Sequence, residues 1–186
     1  MTLSQTSDSK SARIVSFWRE AGTERWFAKD QDFDRIIRTK FLAIHEMAAR
    51  GELCAWEADA QSALALVILL DQFPRNMFRG SARAFATDPS AHAVADRAIA
   101  RSFDKKIEKI LQQFFYLPFM HSESLVDQDR CLQLYNALGD AEQLRFAIMH
   151  RDVIVRFGRF PHRNHVMNLD TIPAEQEFLK SGGFAG

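Results

Sequence analysis

The fold is decided by the stretch "ALALVILLDQFPRNMFRG", residues 63–80, in which an unbroken apolar run leads into a polar turn that contains proline. Residues 64–70 are apolar on every side of a helix, and such a helix lies in a protein interior. The run is far shorter than the roughly 20 residues that a membrane span requires. The sequence therefore predicts a central buried helix from about Glu57 to Gln72. Pro74 is expected to end it, because proline has no amide hydrogen to donate.

Helical spacing and local stop signals predict further helices on both sides of this centre. One apolar face recurs at Phe33, Ile36, Ile37, Phe41 and Ile44, as in a helix packed on one side. Start and stop signals fall at Gly22, Gly51, Asp88, Pro118, Ser124, Gly139, Asp140 and Pro173. No segment shows sustained strand alternation. We predict an all-α fold of about eight antiparallel helices, with a disordered tail over residues 1–12 and a single helical domain over residues 13–186.

The composition narrows the classes of function. Lys and Arg number 24 and Asp and Glu number 24, so the formal net charge is zero. A broad nucleic-acid surface normally brings a basic excess, so we expect no nucleic-acid partner, although a local basic patch stays open. Cys54 and Cys131 have no zinc or redox spacing, and the polar N-terminus has no secretory signal. We expect a cytoplasmic protein without a membrane partner and without a cofactor.

The polar turn after the central helix is the first candidate for a functional site. Asp71 sits where the helix ends, and a carboxylate there meets an unfavourable helix dipole. We therefore expect it to pair with an arginine. The following polar residues are Gln72, Arg75, Asn76 and Arg79. Asp71, Arg75, Asn76 and Arg79 are the candidate ligand-binding residues of this turn. Alternatively, Arg75 and Asn76 only complete the end of the helix.

A second Phe-Pro corner lies in "VRFGRFPHRNHV", residues 155–166. Its candidate ligand-binding residues are Arg156, Arg159, His162, Arg163 and Asn164. Guanidinium groups favour carboxylate or phosphate partners, and we expect this corner to meet the first at one polar site, with Arg163 as a candidate partner for Asp71. The structural alternative is a charge network, beginning with Asp152 and Arg156 at a spacing of four residues.

A third polar stretch follows Pro118 in "FFYLPFMHSESL", residues 114–125. His121 and Glu123 are candidates for an acid/base pair, because histidine titrates near neutral pH and a carboxylate can fix its tautomer. The alternative is a half-buried histidine bonded to a carbonyl. Ser124 with Asp127 is typical of a capping box.

Other chemistries have weaker support in the sequence. His162 and His165 with Glu123 or Asp71 would make a metal site, but the two histidines straddle a proline turn, so we predict no metal. No nucleophile elbow, phosphate-binding glycine loop or dinucleotide fingerprint is present. The aromatic residues at helical spacing are expected to build the core.

Three stretches, residues 69–80, 114–124 and 155–166, together resemble the signature blocks of the bacterial family catalogued as domain of unknown function 924. We call them the first, second and third signature blocks. The resemblance covers about residues 13–184. It implies an all-helical, tetratricopeptide-like superhelix and no established activity.

The resemblance also assigns the polar signature by position. It falls on Asp71, Gln72, Arg75, Asn76, Arg79, His121, Ser122, Glu123, Arg156, Gly158, Arg159, His162, Arg163 and Asn164. This chain departs from the family where a Leu-Gly-Arg turn and a Ser-Thr pair are expected. It has Met167-Asn168-Leu169 and Thr171-Ile172 instead. Asn168 can take the left-handed turn, but Leu169 cannot replace an arginine.

Two functional hypotheses follow. In the first, the signature residues line a polar pocket that binds a small anionic ligand, with His121 and Glu123 moving a proton. In the second, the chain is a helical scaffold that binds a peptide or protein, and the signature residues are structural fasteners. The sequence leans towards the pocket, because the arginines outnumber the carboxylates near them in sequence.

Overall fold

A computed structural model describes residues 3–183 of the chain, with side chains from residue 10 onward. No strand occurs among these residues, and the all-α fold is confirmed. The chain divides into two compact units, Met1–Arg79 with Arg83–Phe115 and Gly80–Ala82 with Tyr116–Gly186. The single helical domain, the disordered tail and the tetratricopeptide-like superhelix stay predictions. Residues 1–2 of that tail lie outside the described residues.

The first unit contains most of the helices. Helix α1 changes direction at Gly22, whose φ of 71° is left-handed, as the glycine predicted. The bounds are α1 Leu3–Trp26, α2 Gln31–Ala49, a 3-10 turn Cys54–Ala58, α3 Ala60–Val67, a π-helical segment Ile68–Gln72, α4 Phe73–Met77, α5 Asp88–Ala100 and the first part of α6, Lys109–Met120. Short 3-10 turns lie at Ala82–Ala84 and Asp104–Lys106.

The core of the first unit forms around α3, which packs against α1 and α5. Residues 62–74 are buried without interruption, so the prediction of a central apolar helix is confirmed. An aromatic cluster surrounds its end: Trp18 lies 5.5 Å from Phe73 and 5.7 Å from Phe114, measured between ring centroids. The expected face of α2 is partly wrong, because Ile36 is 39% exposed.

The sequence predicted that Pro74 ends the central helix. This prediction is wrong, because the helix continues through Pro74 to Met77. In an α-helix residue 74 would donate to the Leu70 carbonyl, which proline cannot do and which its ring crowds. The chain passes this point through the π-helical segment, where the Phe73 amide donates to the carbonyl of Ile68. Thr87 Oγ1 donates to the Leu70 carbonyl at 2.6 Å. A side chain from outside the helix therefore supplies the bond that proline removes.

The second unit is built on a helical hairpin of α7, Leu125–Leu138, and α8, Ala141–Phe157, followed by a 3-10 turn Pro161–Arg163 and α9, Pro173–Lys180. Gly139 ends α7 in the left-handed conformation, and the Asp140 carboxylate accepts from the Gln143 amide to start α8. Both predicted signals are confirmed. Arg151 donates to Asp129 across the hairpin at 2.5 Å.

Other predicted boundaries are shifted. Helix α6 continues through Pro118 to Met120, and α5 is preceded by Thr87, so Asp88 is already its first residue. Ser124 stands at the start of α7, but its side chain makes no capping bond. The Ser122 hydroxyl lies just before the helix, where it donates to Asp127 at 2.6 Å and accepts from the Ser124 amide at 3.2 Å.

Candidate functional site

The first signature block lies in the first unit, where its charged groups bind one another. Asp71 is fully buried. Its carboxylate accepts from Gln72 Nε2 at 2.5 Å and lies 3.3 Å from Arg75 Nη1. Arg75 also binds Asp88 through two parallel hydrogen bonds, of 2.8 and 3.0 Å. Burial lowers the pKa of Arg75, but the charges of Asp71 and Asp88 outweigh it and raise that pKa above its ordinary value.

The end of the same block is fastened to α2 through Asp34. Arg79 binds both oxygens of this carboxylate, at 2.8 and 2.9 Å, and Asn76 Nδ2 donates to it at 2.7 Å. The hydrogen bond to Asp34 raises the pKa of Arg79, against the opposing effect of burial. One carboxylate on α2 therefore holds two polar side chains of the block, and it fixes α4 against α2.

The π-helical segment leaves carbonyl groups that side chains from other helices take up. His45 of α2 donates from Nδ1 to the Leu69 carbonyl at 2.9 Å, because a carbonyl can only accept. Burial lowers the pKa of His45, and the bond to Leu69 partly opposes this shift. A neutral histidine on this carbonyl is the form that the surroundings favour.

The polar residues of the second and third signature blocks lie in the second unit, where the structure brings them together. Arg163 donates from Nη2 to the His121 carbonyl at 3.0 Å, and the Phe160 amide donates to Glu123 Oε1 at 2.8 Å. These two hydrogen bonds therefore connect the short loop after α6 to the turn after α8. The predicted meeting with the first block, including a pair between Arg163 and Asp71, stays a prediction.

Four aromatic side chains make a row in this region. The His121 ring lies 6.4 Å from His150, which lies 5.7 Å from Phe160, which lies 5.6 Å from His162. His150 donates from Nδ1 to the Phe146 carbonyl at 2.8 Å. Glu123 is exposed, and within the described residues it makes no hydrogen bond to His121. The acid/base roles of His121 and Glu123 stay predictions.

The strongest contact of the third block is an ion pair that the sequence did not predict. Glu175 of α9 is buried and binds Arg159 through two hydrogen bonds, of 2.6 and 2.8 Å. The same carboxylate accepts from Asn164 Nδ2 at 3.0 Å and from the Ile172 amide at 2.9 Å. These bonds close the loop between α8 and α9. Asn168 in that loop has a φ of 53°, which confirms the left-handed turn.

Arg156 differs from the other arginines of the third block. Its guanidinium lies 4.7 Å from the ring centroid of Phe157 and 5.5 Å from that of Phe178. The pair with Asp152 suggested by their spacing does not form within the described residues. Three of the arginines predicted from the sequence, Arg75, Arg79 and Arg159, therefore bind carboxylates of the protein. Their partners Asp88, Asp34 and Glu175 were not predicted. Each partner lies outside the signature blocks, and the one signal among them, at Asp88, indicated a helix start and not an ion pair.

The hydrogen bond from Arg159 lowers the pKa of Glu175, burial opposes this, and the Ile172 amide lowers it further. A carboxyl group whose native pKa lies below its unfolded value of about 4.3 stabilises the fold fully above that pH. It loses this contribution as the pH falls through the native pKa. We therefore expect Glu175→Gln to lower the melting temperature at pH 7 and to lower it much less at pH 3. Glu177→Gln, an exposed position on the same helix, is the control. Equal effects of Glu175→Gln at both pH values would contradict this account.

A cleft of about 350 Å³ lies elsewhere in the first unit, between α1 and α2. It contains none of the predicted site residues. Its lining consists of Ala12, Arg13, Ser16, Phe17, Glu20, Lys40 and Phe41.

In the part of the chain that the structure describes, no three His, Cys, Asp or Glu side chains gather as a set of metal ligands. No helix in that part has the length and hydropathy needed to cross a membrane.

Comparison with known proteins places the chain in a family. Residues 14–183 match the family described as bacterial protein of unknown function, DUF924. The chain belongs to this family. A solved structure of ATU0120, a protein of unknown function from Agrobacterium tumefaciens, is similar to this DUF924 protein. The sequence identity is 46% and the TM-score 0.92, and the match covers 95% of this chain and 99% of that one. No curated protein matches the chain.

Proposed function

We propose that this DUF924 protein is a helical scaffold that binds a peptide or protein, and that its signature blocks act as internal fasteners. One observation carries the proposal. Arg75, Arg79 and Arg159 each bind one carboxylate through two parallel hydrogen bonds, with Asp88, Asp34 and Glu175 as their partners. These are the donors that a guanidinium would offer to an anionic ligand. A ligand at these arginines would have to displace a carboxylate of the protein itself.

The contacts of the fasteners support this reading, because each joins segments that are distant in sequence. Arg79 connects the end of α4 to α2, and Arg159 connects the end of α8 to α9. The amide of Asn164 adds a second bond to the same buried carboxylate of Glu175. Anchored loops keep helix faces in fixed positions, which a binding scaffold needs.

An Arg159→Ala variant tests the fastener role on which the proposal depends. It removes both bonds to a buried carboxylate, so we expect the melting temperature to fall by about 4 °C or more. Arg159→Lys should recover only part of the loss, because an ammonium group cannot form the two parallel bonds. Arg156→Ala is the matched control, since Arg156 lies over aromatic rings without an ion pair in the described structure. Unchanged stability in Arg159→Ala would remove the fastener role.

The small anionic ligand remains a second candidate, favoured by the row of rings at His121, His150 and His162. His121 and His162 are half-buried rather than buried, so a ligand can reach their edges. A thermal-shift screen with anionic metabolites tests this function, because a ligand that binds the native state raises its melting temperature. An anion that stabilises the wild type but not His121→Asn or Glu123→Gln would support a site there. Equal stabilisation of all three proteins would exclude it.

A further inference from the structure

The cleft between α1 and α2 has the size of a small-molecule site. Its volume of about 350 Å³ lies at the lower end of the roughly 300–1,000 Å³ found for such sites. Ala12, Arg13, Ser16, Phe17 and Glu20 recur on one side of α1, and Lys40 and Phe41 face them from α2. Both walls belong to long helices of the first unit, so the cleft is formed by rigid elements.

The floor of the cleft is aromatic. The rings of Phe17 and Phe41 meet edge to face, with 4.9 Å between their centroids. Phe41 is buried and Phe17 is half-buried. Phe33 stacks on the Phe17 ring with 5.6 Å between the centroids, so a ligand in the cleft would meet only the part of Phe17 that stays exposed. Behind both rings lies Phe73 of the first signature block, 6.2 Å from Phe17 and 4.8 Å from Phe41. This backing gives the floor a fixed shape.

Two cations lie at the rim of the cleft, and neither is held, in the described part of the chain, by two hydrogen bonds to a carboxylate as Arg75, Arg79 and Arg159 are. Arg13 is exposed and makes no hydrogen bond or ion pair within the described residues. Lys40 is exposed as well, and its ammonium lies 5.2 Å from the centroid of the Phe17 ring. Lys40 therefore holds a positive charge directly over the aromatic floor.

We propose that this cleft binds a small monocarboxylate with an aromatic or aliphatic body. The body lies on the Phe17 and Phe41 rings, and the carboxylate is held by Arg13 and Lys40. Glu20 lies seven residues after Arg13, about 10 Å along the helix, and its charge disfavours a second anionic group. The site therefore selects a single negative charge at one end of an apolar molecule. This inference stands on the cleft alone and does not rest on the fastener role of the signature blocks.

Phenylacetate is a suitable probe, and the full chain can be titrated with it while backbone amides are followed by NMR. We expect saturable shifts at residues 12–20 and 40–41, with a Kd on the order of 1 mM for a ligand of this size. Phenylacetamide, the uncharged analogue, should bind about five-fold more weakly. Equal affinity for the two compounds, shifts centred elsewhere, or no saturation would each overturn the proposal.

Variants at the rim test whether the charges of Arg13 and Lys40 contribute to phenylacetate binding. Arg13→Gln and Lys40→Gln should each weaken phenylacetate about three-fold or more, whereas Glu20→Gln should strengthen it about two-fold. Arg35→Gln is the matched control, because Arg35 is an exposed arginine of α2 that lies outside the cleft and pairs with Asp32. If Arg13→Gln and Lys40→Gln both bind as the wild type does, the assignment is wrong. The comparison with phenylacetamide uses the unmodified chain, so it decides the question even if a variant folds poorly.

Discussion

Replacement of Asp71 with alanine is expected to lower the free energy of unfolding by about 3–5 kcal/mol. The side chain is fully buried and lies 3.3 Å from Arg75 Nη1, while Gln72 donates to it at 2.5 Å. The substitution leaves a guanidinium with one fewer charged partner and a buried amide without its acceptor. Both groups then lose interactions that water cannot replace inside the core. Urea unfolding at pH 7 measures the effect.

Two further variants show whether burial or charge causes this loss. Glu108→Ala is the matched control, because Glu108 also binds an arginine, Arg19, but its side chain is 56% exposed. We expect this control to change stability by less than about 1 kcal/mol. Asp71→Asn keeps the shape and one acceptor, so it should lie between the two alanine variants. If Asp71→Ala costs no more than Glu108→Ala, then the buried network around Arg75 contributes little to stability.

Local signals predicted several helix boundaries in this chain correctly. Gly51, Gly139 and Gly158 all have positive φ values just after a helix, where glycine alone adopts them without strain. Asp140 caps α8 as its spacing to Gln143 indicated. These features depend only on a few neighbouring residues, so they can be predicted from the local sequence.

The two Phe-Pro corners show where such signals fail. The second is a true corner: Gly158 ends α8 with a φ of 69°, and Pro161 then starts a 3-10 turn. The first lies inside a continuing helix, because burial on all sides favours a helix and Thr87 bonds the carbonyl that Pro74 leaves. The same dipeptide therefore has two outcomes, and burial together with a side chain 13 residues away accounts for the helix at the first one.

The candidate site was predictable only in part, for a related reason. The motifs pointed to five arginines as candidate ligand-binding cations: Arg75, Arg79, Arg156, Arg159 and Arg163. Whether a cation serves a ligand or the fold depends on its partner, and Asp34 lies 45 residues from Arg79 along the chain. The count of carboxylates near the arginines in sequence favoured a pocket, but the carboxylates near them in space favour fasteners.

Phe73 connects the fasteners to the cleft, and its replacement by alanine is expected to cost about 3–5 kcal/mol of unfolding free energy. The ring is fully buried, 5.5 Å from Trp18 and 4.8 Å from Phe41. Its loss leaves a cavity behind the Phe17 and Phe41 rings, since the helices around it can close only in part. Urea unfolding measures the loss, and phenylacetate titration of the same variant measures its effect on the cleft.

Phe27→Ala is the control for this change, because Phe27 is 55% exposed and its loss should alter stability by only about 0.5 kcal/mol. Phe73→Leu refills most of the volume and should recover much of the stability.

Asn76 and Arg79 hold α4 on Asp34 of α2, and α2 also supplies Lys40 and Phe41 to the cleft. If Phe73→Ala is as mild as Phe27→Ala, α4 does not support the floor of the cleft. A large loss of stability together with weaker phenylacetate binding would show that the first signature block positions the cleft, although none of the charged residues of that block lines it.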